Sequence, residues 1–341
     1  MEDHKQFKHF SKLSPLIDSF GRVHTSLRLS VTDRCNIRCT YCMPESNPVF
    51  FPKDQLLTFE EMARVCTLLV ERCGIRDIRI TGGEPLVRKD LAKFIQLISV
   101  IPHLQDLSLT TNGILLTENA HALSRAGLKR LNISLDTLSE DVFQRITRRA
   151  GLDRTLRGIE TAISAGFDSI KLNALAIRGI TEFEVCDLVQ YASENGLLIR
   201  FIEYMPLDAD QNWRRNNVLD GDELLSILGK KFGSIEPIPR EDPAQPAEAF
   251  LVGEHRVGII RSVTHPFCNQ CNRLRITADG AIRNCLFAKD ETYFKSQLRE
   301  GISDDDLIKI IQSCVSAKAK SHGINHASFQ PPDRPMYAIG G

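Results

Sequence analysis

The 341-residue sequence lacks an excess of charge of either sign. Its 43 lysines and arginines equal its 43 aspartates and glutamates, which gives a formal net charge of zero. A surface without such a bias does not attract nucleic acid or an acidic bilayer through charge alone. We therefore expect no nucleic-acid partner, and any anion site must be a local cluster of basic residues.

The sequence also lacks a long apolar run. Its first ten residues, MEDHKQFKHF, contain two acids and no apolar segment of the kind found in a signal peptide. No later stretch is long and apolar enough to cross a bilayer. These features predict a cytoplasmic protein without a membrane partner, in a compartment where thiols stay reduced.

A fourth cysteine is missing from both places where cysteines cluster. Ten cysteines in a reducing compartment indicate metal binding or catalysis rather than disulfides. Four of them fall in apolar helical patterns and are predicted to be small core residues: Cys66, Cys73, Cys186 and Cys314. The other six form what we call the first triplet, Cys35, Cys39 and Cys42, and the second triplet, Cys268, Cys271 and Cys285.

Three thiolates suit some metal groups better than others. A structural zinc site is normally closed by four protein ligands. His265 stands three residues before Cys268, so zinc at the second triplet stays open on spacing alone. Iron-sulfur clusters are held by cysteine thiolates, and a cubane cluster with three protein ligands leaves one iron free to bind a small molecule. The triplets therefore predict reactive sites rather than structural staples.

Six short runs of β-branched and apolar residues alternate with helical patterns. They cover 27–31, 77–81, 107–111, 130–135, 170–175 and 199–204. Capping boxes are predicted at two helix starts: Thr58 with Glu61, and Thr181 with Glu184. Such alternation predicts a parallel sheet with right-handed crossovers, either open or curled into a barrel. Six units are too few for a closed eight-unit barrel, so we expect an α/β partial, TIM-like barrel with a side opening.

Polar residues follow the predicted strands. The first triplet follows the first strand, GGEP at 82–85 follows the second, and Asp136 follows the fourth. Two adjacent glycines let the backbone approach a ligand closely, while Glu84 and Pro85 fix the turn. Because ligands bind at the carboxyl ends of parallel strands, this edge predicts a ligand site beside the first triplet.

The run CNIRCTYC at 35–42, followed by GGEP, resembles the radical S-adenosylmethionine enzymes. The resemblance implies a [4Fe-4S] cluster on the first triplet, whose open iron chelates S-adenosylmethionine and whose electron cleaves it to a 5'-deoxyadenosyl radical. The protein contributes position, dryness and cluster potential, and the cofactor contributes the radical chemistry. Contacts with S-adenosylmethionine are implied for Tyr41, Gly83, Ser134 and Met205.

The second triplet and the last residues narrow the resemblance. CNQCNRLRITADGAIRNCLF at 268–287 carries the three cysteines with a hairpin turn between them, and the sequence ends in Gly340 and Gly341. Together with LRLSVTDRCN at 27–36, these motifs are similar to the family that cyclises GTP in the first step of molybdenum cofactor biosynthesis. The similarity covers nearly the whole chain.

This resemblance implies a second [4Fe-4S] cluster, on the second triplet, whose open iron binds the guanine of GTP. Six residues are implied to hold GTP: Arg28, Arg79, Thr110, Lys171, Arg273 and Arg275. Four of these are also assigned to catalysis: Arg28, Lys171, Arg273 and Arg275. Arginine forks pair with phosphate oxygens in bidentate fashion, so the set supplies a local basic cluster that the net charge hides.

The implied reaction takes hydrogen from the ribose C3' of GTP, joins C3' to guanine C8 and gives (8S)-3',8-cyclo-7,8-dihydroguanosine 5'-triphosphate. A reducing electron donor and a downstream cyclic pyranopterin monophosphate synthase are implied partners, and a homodimer is left open. Two alternatives remain: a radical S-adenosylmethionine enzyme that modifies a peptide and has an auxiliary cluster, and a zinc-stapled binding protein without chemistry.

A domain boundary is predicted near Gly233. The partial barrel would cover 1–233, and an α+β extension over 234–341 would cover its side opening. The proline-rich segment at 237–250 is interpreted as a linker or surface loop, and helical runs are predicted at 291–300 and 303–319. The first 20 residues match no motif.

The resemblance, taken together with the absence of side chains, predicts that the pair Gly340 and Gly341 enters the barrel. Glycine has no Cβ and accepts positive φ, so two in succession can occupy a narrow space. There the pair is expected to orient GTP or the arginines that touch it, with Arg273 and Arg275 as the nearest candidates in sequence.

Overall fold

The computed structural model describes residues 13–240 and 242–341. Twelve strands are present in this part of the chain: β1 Ser26–Ser30, β2 Asp77–Thr81, β3 Asp106–Thr111, β4 Arg130–Ser134, β5 Ser169–Ala176, β6 Leu198–Glu203, β7 Ile235–Ile238, β8 Glu248–Val252, β9 His255–Ile260, β10 Arg273–Ile276, β11 Ala281–Arg283 and β12 Thr292–Tyr293. The α-helices are α1 Phe59–Cys73, α2 Leu91–Ser99, α3 Leu116–Arg125, α4 Glu140–Thr147, α5 Leu152–Ser164, α6 Thr181–Glu194, α7 Gly221–Phe232, α8 Lys295–Arg299, α9 Asp304–Ser316 and α10 Met336–Ile339.

All strands belong to one sheet in the order β12-β11-β10-β1-β2-β3-β4-β5-β6-β9-β8-β7. Strands β1 to β6 are parallel neighbours. Strand β10 adds a parallel strand beside β1, and β9 adds one beside β6. The expected partial, TIM-like barrel is confirmed, and the C-terminal region extends it at both ends of the parallel array.

The first strand shows how the sequence separates core from site. In β1, Leu27 and Leu29 are buried, and Arg28 alternates with them. Because successive side chains of a strand point to opposite faces, the leucines pack under the helices while the arginine faces the other side. The predicted capping box of α1 is confirmed: Thr58 Oγ1 accepts from the Glu61 amide (3.1 Å), and Glu61 Oε2 accepts from the Thr58 amide (2.7 Å).

The second predicted capping box is wrong. Helix α6 does begin at Thr181, but its N-cap is Ile180, and the Thr181 hydroxyl donates to the Leu175 carbonyl (2.7 Å). Glu184 instead accepts from the Thr137 hydroxyl (2.7 Å) in the loop after β4. The Glu184 carboxylate therefore forms a tertiary hydrogen bond to Thr137 and does not cap α6, although the local sequence pattern predicted that it would.

Two further predictions in the C-terminal region need correction. The segment 237–250 is not only a loop, because its ends lie in β7 and β8, which pair antiparallel. Pro237 is tolerated there because β7 is an edge strand, where a missing amide donor costs nothing. In the predicted helical run 291–300, β12 comes first and α8 begins only at Lys295.

Three of the four cysteines predicted to be core residues are buried. Cys66, Cys73 and Cys314 are buried as predicted, whereas Cys186 is only partly buried. The boundary near Gly233 stays a prediction; the sheet runs on through it. Among the described residues, no helix combines the length and the apolar character that crossing a bilayer requires.

Candidate active site

A cavity of about 330 Å³ lies within the arc of parallel strands. Both cysteine triplets line it. Of the other residues predicted for the site, those that line it are Arg28, Tyr41, Arg79, Gly83, Thr110, Ser134, Met205, Arg273 and Arg275. Lys171 is the exception. The structure therefore brings together two groups of residues that lie far apart in the sequence.

The first triplet lies in the loop after β1. This loop turns tightly, because the amides of Cys42 and Met43 both donate to the Cys39 carbonyl (3.0 and 2.9 Å). Burial raises the pKa of Cys35 to about 11, and the nearby Glu84 charge adds to the shift. Burial also raises the pKa of Cys39 and Cys42, and a neighbouring thiol of the triplet adds to each shift.

The GGEP loop packs backbone to backbone against the loop of the first triplet. The Gly83 amide donates to the Thr32 carbonyl (2.7 Å), and the Glu84 amide donates to the Arg34 carbonyl (2.7 Å). A Cβ at Gly83 would lie 2.4 Å from the Arg34 carbonyl oxygen. Glycine is therefore required by this contact with the protein's own backbone, and Gly82 and Gly83 also line the cavity.

Glu84 ties three loops of this edge together. It is 1% exposed and accepts hydrogen bonds from the Thr111 hydroxyl (2.7 Å), the Asn112 amide (2.7 Å) and the Leu86 amide (3.0 Å). Burial raises its pKa to about 7, although these hydrogen bonds oppose the shift. The carboxylate thus links the loops after β2 and β3, and its own amide links them to the first triplet.

The aromatic residue before the last thiol of the first triplet has a fixed orientation. The Tyr41 hydroxyl donates to Asp136 Oδ2 (2.7 Å), and Asp136 Oδ1 accepts from the Leu175 amide (2.8 Å). Burial raises the pKa of Asp136. Asp136 lines the cavity as well, so it belongs to the site, which its position after the fourth predicted strand indicated.

The second triplet flanks the hairpin β10–β11, with Cys268 and Cys271 before it and Cys285 after it. The Cys271 amide donates to the Cys268 carbonyl (3.1 Å) in a short helical turn, and Cys285 follows the hairpin. The predicted turn is confirmed: Gly280 has φ +82°, and its amide donates to the Thr277 carbonyl (3.0 Å). The hairpin thus brings a thiol from the end of β11 back to the other two.

Cations surround the second triplet. Burial raises the pKa of Cys271, but the charges of Arg273 and Lys318 outweigh burial and lower the pKa to about 6. The Arg273 guanidinium lies 4.5 Å from the centre of the Phe267 ring, and the Lys318 Nζ atom donates to Cys271 Sγ (3.3 Å). The two triplets therefore differ in the charge of their surroundings.

A row of arginines crosses the sheet next to both triplets. In the strand register, Arg28 of β1 pairs with Arg275 of β10 on one side and with Arg79 of β2 on the other. Burial, and then the charges of neighbouring arginines, lower the pKa of Arg79 to about 10 and that of Arg275 to about 9. None of the three forms an ion pair with a described residue. Cations that are partly or fully buried without a counter-ion in the described chain indicate an anion site.

Arg200 belongs to this group although the sequence prediction omitted it. It is 7% exposed, lines the cavity and donates to Asn173 Oδ1 (3.0 Å) and to Asn132 Oδ1. A Cβ at Gly258 would lie 2.7 Å from Arg200 Cγ, so the glycine makes room for it. Burial, and then Arg79, lower its pKa to about 9. Its charge between the apolar residues Ile199 and Phe201 of the strand pattern was the available signal.

Lys171 lies away from the cavity wall. In β5 it precedes Asn173, which lines the cavity, by two residues toward the amino end of the strand. Burial, and then the charge of Arg200, lower its pKa to about 8. The residue is therefore within the electrostatic reach of the arginines.

The Gly340–Gly341 pair enters the barrel as predicted. The Gly340 carbonyl accepts from Arg275 NH1 (3.0 Å), and Gly341 lines the cavity. Gly340 has φ +93°, and a Cβ there would lie 2.6 Å from Ser30 Cβ. Only glycine fits this place, and of the two predicted arginines it is Arg275 that contacts the pair.

The donor atoms fit iron-sulfur clusters. Each triplet presents three cysteine sulfurs to the cavity, and sulfur is the ligand of such clusters. His265, the ligand that zinc at the second triplet would need, is exposed and hydrogen-bonds to Thr264 Oγ1 (3.2 Å). In the described part of the chain, no three His, Cys, Asp or Glu side chains converge on one point as ligands of a single metal ion do.

Comparison with known proteins gives two family matches and close relatives. Residues 29–192 match the radical SAM superfamily, and residues 197–324 match the family described as Molybdenum Cofactor Synthesis C. GTP 3',8-cyclase of Rhodopirellula baltica is 56% identical over 330 residues, covering 96% of this chain and 92% of that protein. GTP 3',8-cyclase of Streptomyces coelicolor is 44% identical over 328 residues, covering 96% of both chains.

Solved structures resemble the fold. Streptococcus suis SuiB bound to S-adenosylmethionine matches with a TM-score of 0.58 at 12% identity, covering 94% of this chain and 77% of that one. Native anSMEcpe with bound AdoMet gives a TM-score of 0.56 at 17% identity, covering 83% of this chain and 82% of that one. At these identities the likeness supports the fold only.

Proposed function

This chain belongs to the GTP 3',8-cyclases, which are radical S-adenosylmethionine enzymes, and we propose that its cavity holds S-adenosylmethionine against the first triplet and GTP against the second. The enzyme converts GTP to (8S)-3',8-cyclo-7,8-dihydroguanosine 5'-triphosphate, the first step of molybdenum cofactor biosynthesis. It uses two [4Fe-4S] clusters and S-adenosylmethionine.

One observation carries the proposed arrangement. Both triplets line the same cavity, and so do three arginines that form no ion pair in the described chain, Arg28, Arg79 and Arg275. A triphosphate supplies the negative charges that these arginines lack, and guanidinium forks pair with phosphate oxygens. A cationic lining of this kind favours a nucleotide over a neutral peptide as the second substrate.

The residues around the first triplet bind and orient S-adenosylmethionine. When bound, the reduced cluster supplies the electron that cleaves S-adenosylmethionine to a 5'-deoxyadenosyl radical. Gly83 offers a surface without a side chain, and Ser134 and Met205 line the same cavity. Tyr41, held by Asp136, forms a fixed part of the wall (2.7 Å). These contacts hold the 5' carbon of S-adenosylmethionine in place and exclude water from it.

The residues around the second triplet bind GTP. Arg28, Arg79 and Arg275 form the row that receives the triphosphate, and Thr110 lines the cavity beside them. Arg273, stacked on Phe267, stands next to the second triplet, where the guanine is bound. Fixed at both ends, GTP presents its ribose C3' hydrogen toward the first triplet. Lys171 is the least direct member of the set, and it contributes through its charge.

The partners follow from the chemistry. The reaction needs an external one-electron donor, and its product is consumed by a downstream cyclic pyranopterin monophosphate synthase. We place the electron donor, the downstream synthase and this enzyme in the cytoplasm. A homodimer is compatible with this proposal. The boundary near Gly233 would separate a radical S-adenosylmethionine unit from a unit that completes the cavity.

The test is anaerobic incubation of the reconstituted enzyme with GTP, S-adenosylmethionine and a reductant. We expect equal amounts of 5'-deoxyadenosine and cyclised nucleotide, and about eight irons per chain, because two cubane clusters contain that number. ATP in place of GTP is the control and should give no cyclised product. Formation of 5'-deoxyadenosine with GTP but without any cyclised nucleotide would contradict the proposal.

A further inference from the structure

One buried amine contacts the second triplet and has no role in the chemistry described so far. Lys318, just after α9, is only 4% exposed. Its Nζ atom donates to Cys271 Sγ (3.3 Å) and to the Arg273 carbonyl (2.9 Å), and it lies 2.9 Å from His24 Nε2. Burying an ammonium group is costly unless its hydrogens are bound, and three partners match its three hydrogens.

His24 acts as an acceptor that aims the lysine. Its Nδ1 atom lies 3.1 Å from the Arg22 carbonyl, an oxygen that can only accept, so Nδ1 carries the hydrogen and Nε2 accepts from Lys318. Burial, and then the charge of Lys318, lower the pKa of His24 to about 4, which is consistent with a neutral ring. The ring is fully buried, so this acceptor stays in place.

A second anchor fixes the same region. Arg22 Nε donates to Asp18 Oδ2 (2.6 Å), and Arg22 NH1 donates to the Cys268 carbonyl (2.7 Å). Arg22 also binds the carbonyls of Ala319 and Lys320, which follow Lys318 directly. The segment 18–24 therefore holds both the backbone of the second triplet and the backbone that carries the lysine.

We propose that Lys318 is a positioning residue for the second cluster, and that its hydrogen bond to Cys271 Sγ raises the reduction potential of that cluster above the value the three thiolates alone would give. The inference rests on the proposed function, because it requires a cluster on the second triplet. A hydrogen bond and a positive charge at a ligand sulfur stabilise the more negative, reduced state.

The first triplet has no equivalent. Its Cys35 sulfur lies 3.9 Å from the neutral Asn112 Nδ2 atom, and within the described residues no lysine or arginine donates to a sulfur of this triplet. A one-electron donor outside the protein reduces either cluster, and no bond to Lys318 forms or breaks. The geometry therefore assigns different potentials to two clusters in one cavity, with the second one the easier to reduce.

The test is an EPR-monitored redox titration of the reconstituted holoenzyme. The signal that GTP perturbs reports the second cluster, and the signal that S-adenosylmethionine perturbs reports the first. In Lys318→Met, we expect reduction of the GTP-responsive cluster to become roughly tenfold less favourable, which is about 59 mV for one electron. Lys309→Met is the matched control, since Lys309 also belongs to the α9 region but is exposed, and both potentials should stay unchanged.

The possible results distinguish the role proposed for Lys318 from the proposed function of the second triplet. If Lys318→Met contains both clusters and the GTP-responsive cluster keeps the wild-type potential, the proposal is wrong. If this variant fails to assemble the second cluster, Lys318→Gln, which keeps a neutral donor, decides: a smaller shift in the same direction supports the proposal, and the wild-type potential overturns it. A wild-type enzyme without any GTP-responsive cluster would instead defeat the proposed function itself.

Discussion

The two cysteine triplets share a cavity and a ligand type but differ in their surroundings. Around the first, Glu84 is a buried carboxyl group and Asp136 is a partly buried one, and burial raises the pKa of all three thiols. Around the second, burial raises the pKa of Cys268, but Arg273 and Lys318 lower the pKa of Cys271 to about 6. A net negative cluster would be destabilised in the first environment and stabilised in the second.

This difference suits two separate tasks. A cluster that must give its electron to S-adenosylmethionine benefits from surroundings that do not favour its reduced form. A cluster that must hold GTP benefits from cations, because these also bind the phosphates. The electrostatic division of the cavity thus accompanies a division of work, and each of the following experiments tests it.

The largest effect is expected from removing one ligand of each triplet. Cys39→Ser should abolish cleavage of S-adenosylmethionine, because the electron for that step comes from the first cluster. Cys271→Ser should spare some uncoupled cleavage and abolish cyclisation, because the second cluster only positions GTP. Chromatography of 5'-deoxyadenosine and of the cyclised nucleotide measures both.

Iron analysis of the same variants checks that the sites are independent. Each should retain roughly half of the wild-type iron if, as proposed, each triplet holds one of the two clusters. Loss of all iron from either variant would break the comparison, since the two environments could then not be assigned to separate clusters.

The next effect concerns the glycine pair, in which the Gly340 carbonyl accepts from Arg275 and Gly341 lines the cavity. In Gly340→Ala, the new Cβ would lie 2.6 Å from Ser30 Cβ and 2.9 Å from Thr81 Oγ1, so the carbonyl that binds Arg275 must move. A misplacement of about 1 Å can cost on the order of 100-fold in rate. We expect such a fall in cyclised product, with both clusters and S-adenosylmethionine cleavage retained.

Gly301→Ala is the matched control for that experiment. Gly301 also has positive φ (+84°), but a Cβ there meets nothing within 4 Å. The backbone strain is therefore similar, while the contact with the cavity is absent. Equal product formation by Gly340→Ala and wild type would show that the glycine pair is only an ordered end of the described structure.

A smaller effect is expected from Arg200→Met. Arg200 lines the cavity as a cation without an ion pair in the described chain, and we expect it to attract the triphosphate. Loss of a charged partner of a phosphate should cost about 1.5–3 kcal/mol, or roughly 10- to 100-fold in GTP affinity. The affinity for S-adenosylmethionine should not change, because the arginines serve the other half of the cavity. Equilibrium binding of each ligand measures this, with the exposed Arg157→Met as control. An equal loss of affinity for GTP and for S-adenosylmethionine would show that the arginines do not serve the GTP half of the cavity alone.

The smallest effect is a pH dependence on the side of the first triplet. Burial raises the pKa of Glu84 to about 7. The folded chain therefore holds this proton more tightly than the unfolded chain, and the stabilisation is complete below the ordinary value of about 4.3 and lost as the pH rises to about 7. Each unit of pKa shift corresponds to about 1.36 kcal/mol.

Urea unfolding of the cluster-free chain at pH 5 and pH 8 measures that dependence. The wild-type free energy of unfolding should fall more between these two pH values than that of Glu84→Gln, which has no titrating group. Glu71→Gln, at an exposed position of α1, is the matched control and should behave as wild type. Parallel behaviour of wild type and Glu84→Gln would show that this carboxyl is ionised throughout.

The sequence predicted features that depend on local pattern. The cysteine spacings, the GGEP loop and the cap at Thr58 each involve residues close together in the chain, where residue type and spacing carry the information. The parallel strands were predictable for the same reason, because the apolar pattern of each segment indicates a strand without reference to the others.

Features that join distant segments were not predictable in this way. The pairing of Lys318 with His24 and Cys271 connects three regions of the chain, and none of them carries a local signal for the others. The spacing of Thr181 and Glu184 predicted a cap, but Glu184 accepts from Thr137, which lies in another loop. The sequence showed Arg200 as a charged residue between apolar residues of a predicted strand. Only the register of β5 and β6 shows that it lies beside Asn173 and donates a hydrogen bond to it.

The pairing of β10 with β1 has a consequence for how the chain is made. Ser26 and Arg273 are register partners, yet nearly the whole barrel lies between them in sequence. During synthesis the first triplet leaves the ribosome long before the strand that carries Arg275 exists, and domains fold progressively from the N-terminal side. The nascent protein therefore passes through a stage in which one edge of β1 is unpaired, and the pairing of β10 with β1 removes that edge.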